Sequence, residues 1–110
     1  MISEADVESA VEYLRTSSLK AAQARANLKH IEAYMKVLKA ELKSKQVGLS
    51  NAAAEDIALS SPQYKELEKG YQVAVEEDCH YTYKREAALA LIDTWRTMCA
   101  TARAEGRATT

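Results

Sequence analysis

Glycine, proline and phenylalanine are scarce in this sequence of 110 residues, which contains 3, 1 and 0 of them. Turn-rich β domains and flexible linkers need frequent chain breakers, so this composition argues against both. Alanine, leucine, glutamate and lysine, which are strong helix formers, dominate instead. With 28% charged and 47% hydrophobic residues, the composition is typical of a folded helical protein.

Long apolar runs and numerous cysteines are also missing. No run approaches the roughly 20 apolar residues that a membrane helix needs. The acidic start Met1–Asp6 has neither the basic nor the apolar region of a secretory signal. Two cysteines, Cys79 and Cys99, are too few for a disulfide framework. We therefore expect a cytoplasmic protein with ordinary reduced thiols.

Charge is nearly balanced overall but is divided into blocks. The formal net charge is −1, which excludes a protein that binds nucleic acid through general basicity. Residues 19–45 carry seven bases and two acids, whereas residues 62–80 carry two bases and five acids. The opposite signs of these segments predict that they face each other.

A heptad pattern runs through the first half of the chain and predicts a long helix. Ser3 and Asp6 suit its N-terminal cap. The hydroxyl run around Ser17 offers competing backbone hydrogen bonds, so the helix over 4–45 is either continuous or kinked near that residue. Apolar residues recur at spacings of three and four, and only Ser17 interrupts the series Val7, Ala10, Leu14, Ala21, Ala24, Leu28, Ile31, Met35, Leu38 and Leu42.

A second seam, from Tyr64 to Ala102, predicts a second long helix. Its two polar members, Asp78 and Arg85, are interpreted as residues that set the helix register. The alternative is a polar pocket between protomers. Ser61 as cap and Pro62 as first helical residue mark the start. Gly106 marks the expected end of this helix. The prediction is therefore one domain over 1–110, with helices over 4–45 and 62–105. A loop over 46–61, which contains a candidate short helix 52–59, joins them, and a tail 106–110 follows.

The fold class predicted is all-α: an antiparallel helical hairpin with coiled-coil-like seams. Folding the chain near residue 53 places Lys29 opposite Asp78 and Arg85 opposite Ala22. One hairpin offers little apolar burial, so we expect self-association into a helical bundle, most simply a dimer. The oligomer interface is expected on the face that bears Tyr71, Tyr81 and Trp95.

Enzyme signatures are missing from the sequence. It has no Gly-rich phosphate loop, no HExxH and no GxSxG motif. Cys79 and His80 point in different directions on a helix and do not suit one zinc ion. The run Glu76–Asp78 fits a solvated or ion-paired face better than a magnesium site. We expect no catalytic residue, metal or cofactor.

Basic residues, among them three lysines at heptad spacing with Lys39 beside them, are the candidate nucleic-acid contacts. Such a stripe suits a phosphate backbone, and near the other end Trp95 has the chemistry to stack on a base. The alternative for the lysines is ion pairing with the acidic segment 62–80, and for Trp95 a place in the core. The candidates are Lys29, Lys36, Lys39, Lys43, Arg96, Arg103 and Arg107.

Three short motifs carry a resemblance to known proteins. They are Ser3-Glu4-Ala5-Asp6, Ala24-Arg25-Ala26-Asn27 and Trp95-Arg96-Thr97 followed by Ala100-Thr101-x-Arg103-Ala104-Glu105-Gly106. With these the chain resembles small helical proteins of tailed bacteriophages, encoded among recombination and replication genes and similar to phage recombination mediators.

The resemblance implies a non-enzymatic accessory protein in the cytoplasm of a bacterial host. Its expected partners are a second copy of itself, single-stranded DNA, and a recombinase or annealing protein. The alternative is a coiled-coil module that blocks or recruits a host protein without DNA contact. A virion or assembly scaffold ranks third.

Overall fold

The structure, a computed structural model, describes residues 1–109. It contains α1 (Glu4–Ser44), α2 (Asn51–Leu59) and α3 (Pro62–Thr109). The chain is 90% helical, and no strand occurs among the described residues. Helices α1 and α3 pack against each other, which confirms the predicted all-α, hairpin-like fold.

Both long helices begin where the capping residues predict. The Ser3 hydroxyl accepts a hydrogen bond from the Asp6 amide at 3.2 Å, and the Ser3 amide donates to the Asp6 carboxylate at 2.8 Å. The Ser3 hydrogen bonds lower the pKa of Asp6 because they favour its charged form. At the start of α3 the Ser61 hydroxyl accepts from the Tyr64 amide at 3.1 Å, and Pro62 is the first helical residue.

Helix α1 is continuous through the hydroxyl run, so no break occurs near Ser17. The Thr16 and Ser18 hydroxyls each donate to the carbonyl four residues earlier, both at 2.8 Å. These bonds leave the helical backbone intact. The Ser17 side chain is buried, and its hydroxyl accepts a hydrogen bond from Arg85 of α3.

The candidate short helix within 46–61 is present as α2, which is capped by Ser50, whose hydroxyl accepts from the Ala53 amide. The predicted end of the second long helix is wrong. Gly106 does not end α3, because a glycine stops a helix by turning into the left-handed region. Within residues 1–109 only Gly48, at φ +83°, takes up that conformation. Residues 106–109 of the expected tail are helical, and Thr110 lies outside the described residues.

The predicted seams form the core, and small side chains dominate it. On α1 the most buried residues are Ala10, Ser17, Ala24 and Leu38, all separated by multiples of seven. The buried residues of α3 and α2 are Tyr64, Ala74, Ala88, Ala54 and Ala58. Alanine at heptad positions lets helix backbones approach closely, and the seam buries few large side chains.

The chain divides into two compact units. Unit 1 consists of Met1–Ala21 and the part of α3 from His80 onward. Unit 2 consists of Ala22–Cys79 and so contains α2, with the second part of α1 and the first part of α3.

The helix register differs from the prediction by about one turn. Asp78 pairs with Arg25 of α1, at 3.1 Å, rather than with Lys29. Arg85 bonds to Leu14 and Ser17 rather than facing Ala22. The prediction paired the helices by folding the chain about a point near residue 53. The observed polar pairs instead fix a register about one turn away.

Candidate functional site

A basic stripe, defined as Lys29, Lys36 and Lys43, follows one side of α1 in unit 2. Each lysine is seven residues from the next, which is close to two helical turns. Lys29 and Lys36 are exposed and Lys43 is half-buried. Within residues 1–109, no ion pair of these three lysines is present. The ion pair that the sequence suggested for Lys29 belongs to Arg25 instead.

Lys39, the fourth predicted lysine, has an acidic partner within unit 2. Its ammonium group lies 2.6 Å from the carboxylate of Glu55 on α2. This hydrogen bond raises the pKa of Lys39 and lowers the pKa of Glu55, because each charge stabilises the other. The contact ties α2 to α1, so the charge of Lys39 is engaged in the fold.

Arg25 and Asp78 form the other ion pair between helices of unit 2. Two guanidinium nitrogens lie 3.1 and 3.4 Å from the two carboxylate oxygens. The Asp78 side chain is only 14% exposed, so it depends on this partner. No cluster of three or more His, Cys, Asp or Glu side chains suited to a metal ion occurs within residues 1–109.

The predicted arginines belong to unit 1, whereas the predicted lysines belong to unit 2. Arg96, Arg103 and Arg107 are all exposed on α3. Arg96 and Arg103 line a groove of about 780 Å³ together with Asp93, Trp95, Thr97, Cys99, Ala100 and Ala102.

The three aromatic residues expected at an oligomer interface are all half-buried. The Tyr71 hydroxyl donates to the Glu32 carboxylate at 3.4 Å inside unit 2. The Tyr81 ring meets the His80 ring edge-on, at 5.3 Å between centroids. Trp95 lines a groove in unit 1. Whether the three form an interface stays a prediction.

The most exposed aromatic rings are two that sequence reasoning did not select. Tyr34 is 52% exposed and Tyr83 is 65% exposed. Tyr34 lines a groove of about 380 Å³ between α1 and α3 of unit 2, with Leu38, Gln63, Glu66, Leu67 and Gly70. Their positions outside the heptad seams are the signal that distinguishes exposed aromatics from core aromatics.

Comparison with models of known families, with curated proteins and with solved structures finds no match to this chain. None of the helices, over the described part of the chain, combines the length and apolarity needed to cross a membrane. The resemblance to phage recombination accessory proteins therefore stays a prediction from the sequence.

Proposed function

We propose that this protein is a non-enzymatic accessory factor that contacts the backbone of single-stranded DNA through the basic stripe Lys29, Lys36 and Lys43. The observation that supports the proposal is the freedom of Lys29 and Lys36. Both are exposed, and no acidic side chain within residues 1–109 forms an ion pair with either. The alternative for these lysines was an ion pair with the acidic segment of α3, and in the structure Arg25 forms that ion pair with Asp78.

The spacing of the stripe suits a flexible polyanion. Seven residues of helix rise about 10.5 Å, so successive lysines meet phosphates several positions apart along a strand. Lysine acts as a point charge and makes no bidentate contact that reads a base. The expected binding is therefore weak, independent of sequence and sensitive to salt.

The setting that we propose is phage recombination or replication in a bacterial cytoplasm, which follows from the sequence resemblance. In that setting the protein assists a recombinase or an annealing protein on single-stranded DNA. The proposal does not require Arg96, Arg103 or Arg107, which lie in unit 1.

Fluorescence anisotropy with a labelled oligothymidine tests this proposal. Each phosphate contact on a single strand contributes about −0.7 to the slope of log affinity against log salt. Three lysines then give a slope of about −2, which is a loss of roughly 20-fold in affinity between 50 and 200 mM salt. The variant K29Q/K36Q should reduce the slope by about 1.4 units.

The matched control is K65Q/K69Q, which removes the same charge from α3 of the same unit. It should leave the slope unchanged apart from a small general effect. No binding at 50 mM salt, or equal losses in both variants, would contradict the proposal. Circular dichroism establishes that both variants keep their helix content.

A second candidate function, a protein-binding module without DNA contact, is favoured by the exposed apolar side chains of unit 2. Tyr34 and Val37 on α1 are each 52% exposed, and Val73 on α3 is 64% exposed. If a purified recombinase binds this surface, Y34S/V37S should weaken the complex at least tenfold. L19S, a substitution of an exposed residue of unit 1, should not. Binding of the recombinase without any DNA shift would favour this candidate.

A further inference from the structure

Helix α2 covers one flank of unit 2 and leaves the opposite flank open. On the covered flank Ala54 and Ala58 of α2 are buried, and Glu55 pairs with Lys39 of α1 at 2.6 Å. Tyr34 lies five residues before Lys39, so the two side chains are about 140° apart around α1. The side of unit 2 that bears Tyr34 and its groove of about 380 Å³ is called the open flank.

The open flank has a cluster of apolar side chains that are more than half exposed, Tyr34 and Val37 on α1 and Val73 on α3. Tyr34 and Val37 are three residues apart and so are neighbours on the helix. The hydrogen bond of Tyr71 with Glu32 fixes the antiparallel register, which brings Val73 within about one turn of Tyr34 along the helix axis. Exposed apolar groups that form one cluster mark an interaction surface, whereas scattered ones are ordinary.

Gly70 leaves room in the groove beside this cluster. Leu38 and Leu67 line the groove with it and are buried and half-buried, respectively. A methyl group at Gly70 would meet nothing within 4 Å. Val73 is three residues from Gly70 and lies beside it on α3. The groove therefore combines an apolar lining with space for a side chain of a partner.

Three exposed glutamates form the rim of the open flank. Each is seven residues, or nearly two helical turns, from a residue of the cluster or the groove and therefore shares its side of the helix. The pairs are Glu41 with Tyr34, Glu66 with Val73, and Glu77 with Gly70. Glu66 lies 3.8 Å from Lys69 in an exposed and therefore weak ion pair, and over residues 1–109 Glu41 and Glu77 form none.

We propose that the open flank binds an amphipathic helix of a partner protein, with an apolar stripe bordered by lysine or arginine. Such a helix lays apolar residues spaced three and four apart into a groove, and its basic residues face the three glutamates. Helix α2 packs on the covered flank in a similar way, with small buried residues and one ion pair. A second copy of this flank is a poor occupant, because an isologous contact places one acidic rim against another. This contact rests on the second candidate function, protein binding, and does not depend on DNA.

A labelled peptide of about 15 residues, or four helical turns, is the probe. It has leucine at spacings of three and four and lysine elsewhere, which gives an amphipathic helix. Fluorescence anisotropy should show binding to the full chain that weakens with added salt. The same peptide with glutamate in place of lysine, or with serine in place of leucine, should not bind. Equal binding of the glutamate peptide, or no binding of the lysine peptide at roughly 100 μM protein, a concentration well above micromolar dissociation constants, would overturn the proposal.

Neutralising the rim tests the charge complementarity. E66Q/E77Q should weaken peptide binding about fivefold, since exposed charge pairs contribute modestly. The control E68Q/E76Q removes the same charge from the same helix, and Glu68 lies about 200° around α3 from Glu66. It should bind like the wild type. Equal losses in both variants would mean that the peptide responds to net charge alone and would overturn the proposal.

Filling the groove tests the site itself. G70L should weaken peptide binding by about tenfold or more, because the new side chain occupies the groove. Its helix content should not fall, since leucine is a better helix former than glycine and its Cβ meets no neighbour. G106L makes the same change in unit 1 and should bind like the wild type. Binding of G70L as tight as that of the wild type would overturn the proposal.

Glycine amide signals in nuclear magnetic resonance locate the contact directly. The chain has three glycines, and Gly70 is the one in this groove. With isotope-labelled glycine, the signal that is lost in G70A belongs to the groove. The peptide should shift this signal and leave that of Gly106 in place. A shift of Gly106 without Gly70 would place the contact in unit 1 and overturn the proposal.

The variants distinguish a failure of this proposal from a failure of the function on which it rests. A recombinase whose binding is weakened by Y34S/V37S but not by E66Q/E77Q would support protein binding and overturn the basic partner. K29Q/K36Q, which tests the DNA contact, should bind the peptide like the wild type. A matching loss in K29Q/K36Q and E66Q/E77Q would overturn the assignment to the open flank.

Discussion

The Arg85 guanidinium on α3 donates to the Ser17 hydroxyl on α1 at 2.7 Å, and the same nitrogen donates to the Leu14 carbonyl at 2.9 Å. Ser17 is only 4% exposed and occupies a seam position between Ala10 and Ala24. The residue that interrupts the apolar series of α1 is thus the partner of the charged residue in the seam of α3.

A double-mutant cycle on this pair should show strong coupling. S17A leaves the charged Arg85 with one fewer acceptor, and R85M leaves the buried Ser17 hydroxyl without a donor. Each should lower the free energy of unfolding by about 1–3 kcal/mol. S17A/R85M removes both polar groups and should lose less than the sum, with a coupling of about 1 kcal/mol or more in urea titrations. Additive losses would contradict the assigned contact.

The Arg25–Asp78 pair predicts which base fixes the register in unit 2. R25Q removes the partner of a carboxylate that is 14% exposed and should lower the free energy of unfolding by about 1–2 kcal/mol. K29Q, which removes a base one turn away, should change the free energy of unfolding by less than about 0.5 kcal/mol. Urea titrations of the two variants check this difference. A larger loss in K29Q would favour the register expected from the sequence.

The Lys39–Glu55 pair should make the packing of α2 depend on pH. The lowered pKa of Glu55 means that its contribution to stability is present above the ordinary glutamate pKa and is lost as pH falls through the lowered value. The raised pKa of Lys39 means that its contribution is present below the ordinary lysine pKa and is lost as pH rises through the raised value.

Melting curves of the wild type and E55Q check this pH dependence. E55Q should melt at a lower temperature than the wild type at pH 7. The difference should shrink as the pH falls through the lowered pKa of Glu55, because protonation then neutralises this carboxylate in the wild type as well. E68Q, which alters an exposed glutamate of α3, should melt like the wild type over the same pH range. A difference that does not shrink with falling pH would mean that Glu55 acts through packing rather than through its charge.

Substitution of two glycines by alanine should change the free energy of unfolding in opposite directions. Gly70 lies inside α3, and a methyl group there would meet nothing within 4 Å. G70A should therefore raise the free energy of unfolding by about 0.5–1 kcal/mol through better helix propensity. Gly48 has φ +83°, so G48A should lower it by about 1–2 kcal/mol. Urea titrations measure the sign of both changes. A lower free energy of unfolding in G70A would indicate that the groove lined by Tyr34 and Gly70 needs the close approach that glycine permits.

Helix content and helix starts could be read from particular residues. Ser3 with Asp6, and Ser61 with Pro62, predicted the two starts because capping is a local interaction within one turn. The heptad spacing predicted which residues are most buried on α1. Gly106 was misread because a glycine ends a helix only when the following chain turns away, which composition does not reveal.

The candidate site was predicted less completely. The heptad spacing of the lysines was visible in the sequence, but their exposure and the partners of Lys39 and of Asp78 were not. The partner of Lys39 is Glu55 on α2, and the partner of Asp78 is Arg25, one turn from the lysine that the sequence suggested. Tyr34 was overlooked although its position outside the heptad seam is visible in the sequence, because only aromatics of the seam were selected as interface candidates.

The sequence by itself determined an all-α protein with two long seams, because helix propensity, capping and periodicity act over one or two turns. Only the tertiary structure decided which polar residues meet across those seams. A shift of one turn keeps every apolar residue of a heptad facing its partner helix, so the apolar pattern alone permits several registers. The bonds of Ser17 with Arg85 and of Arg25 with Asp78 distinguish one of them. A buried hydroxyl, guanidinium or carboxylate must find its partner or remain unsatisfied.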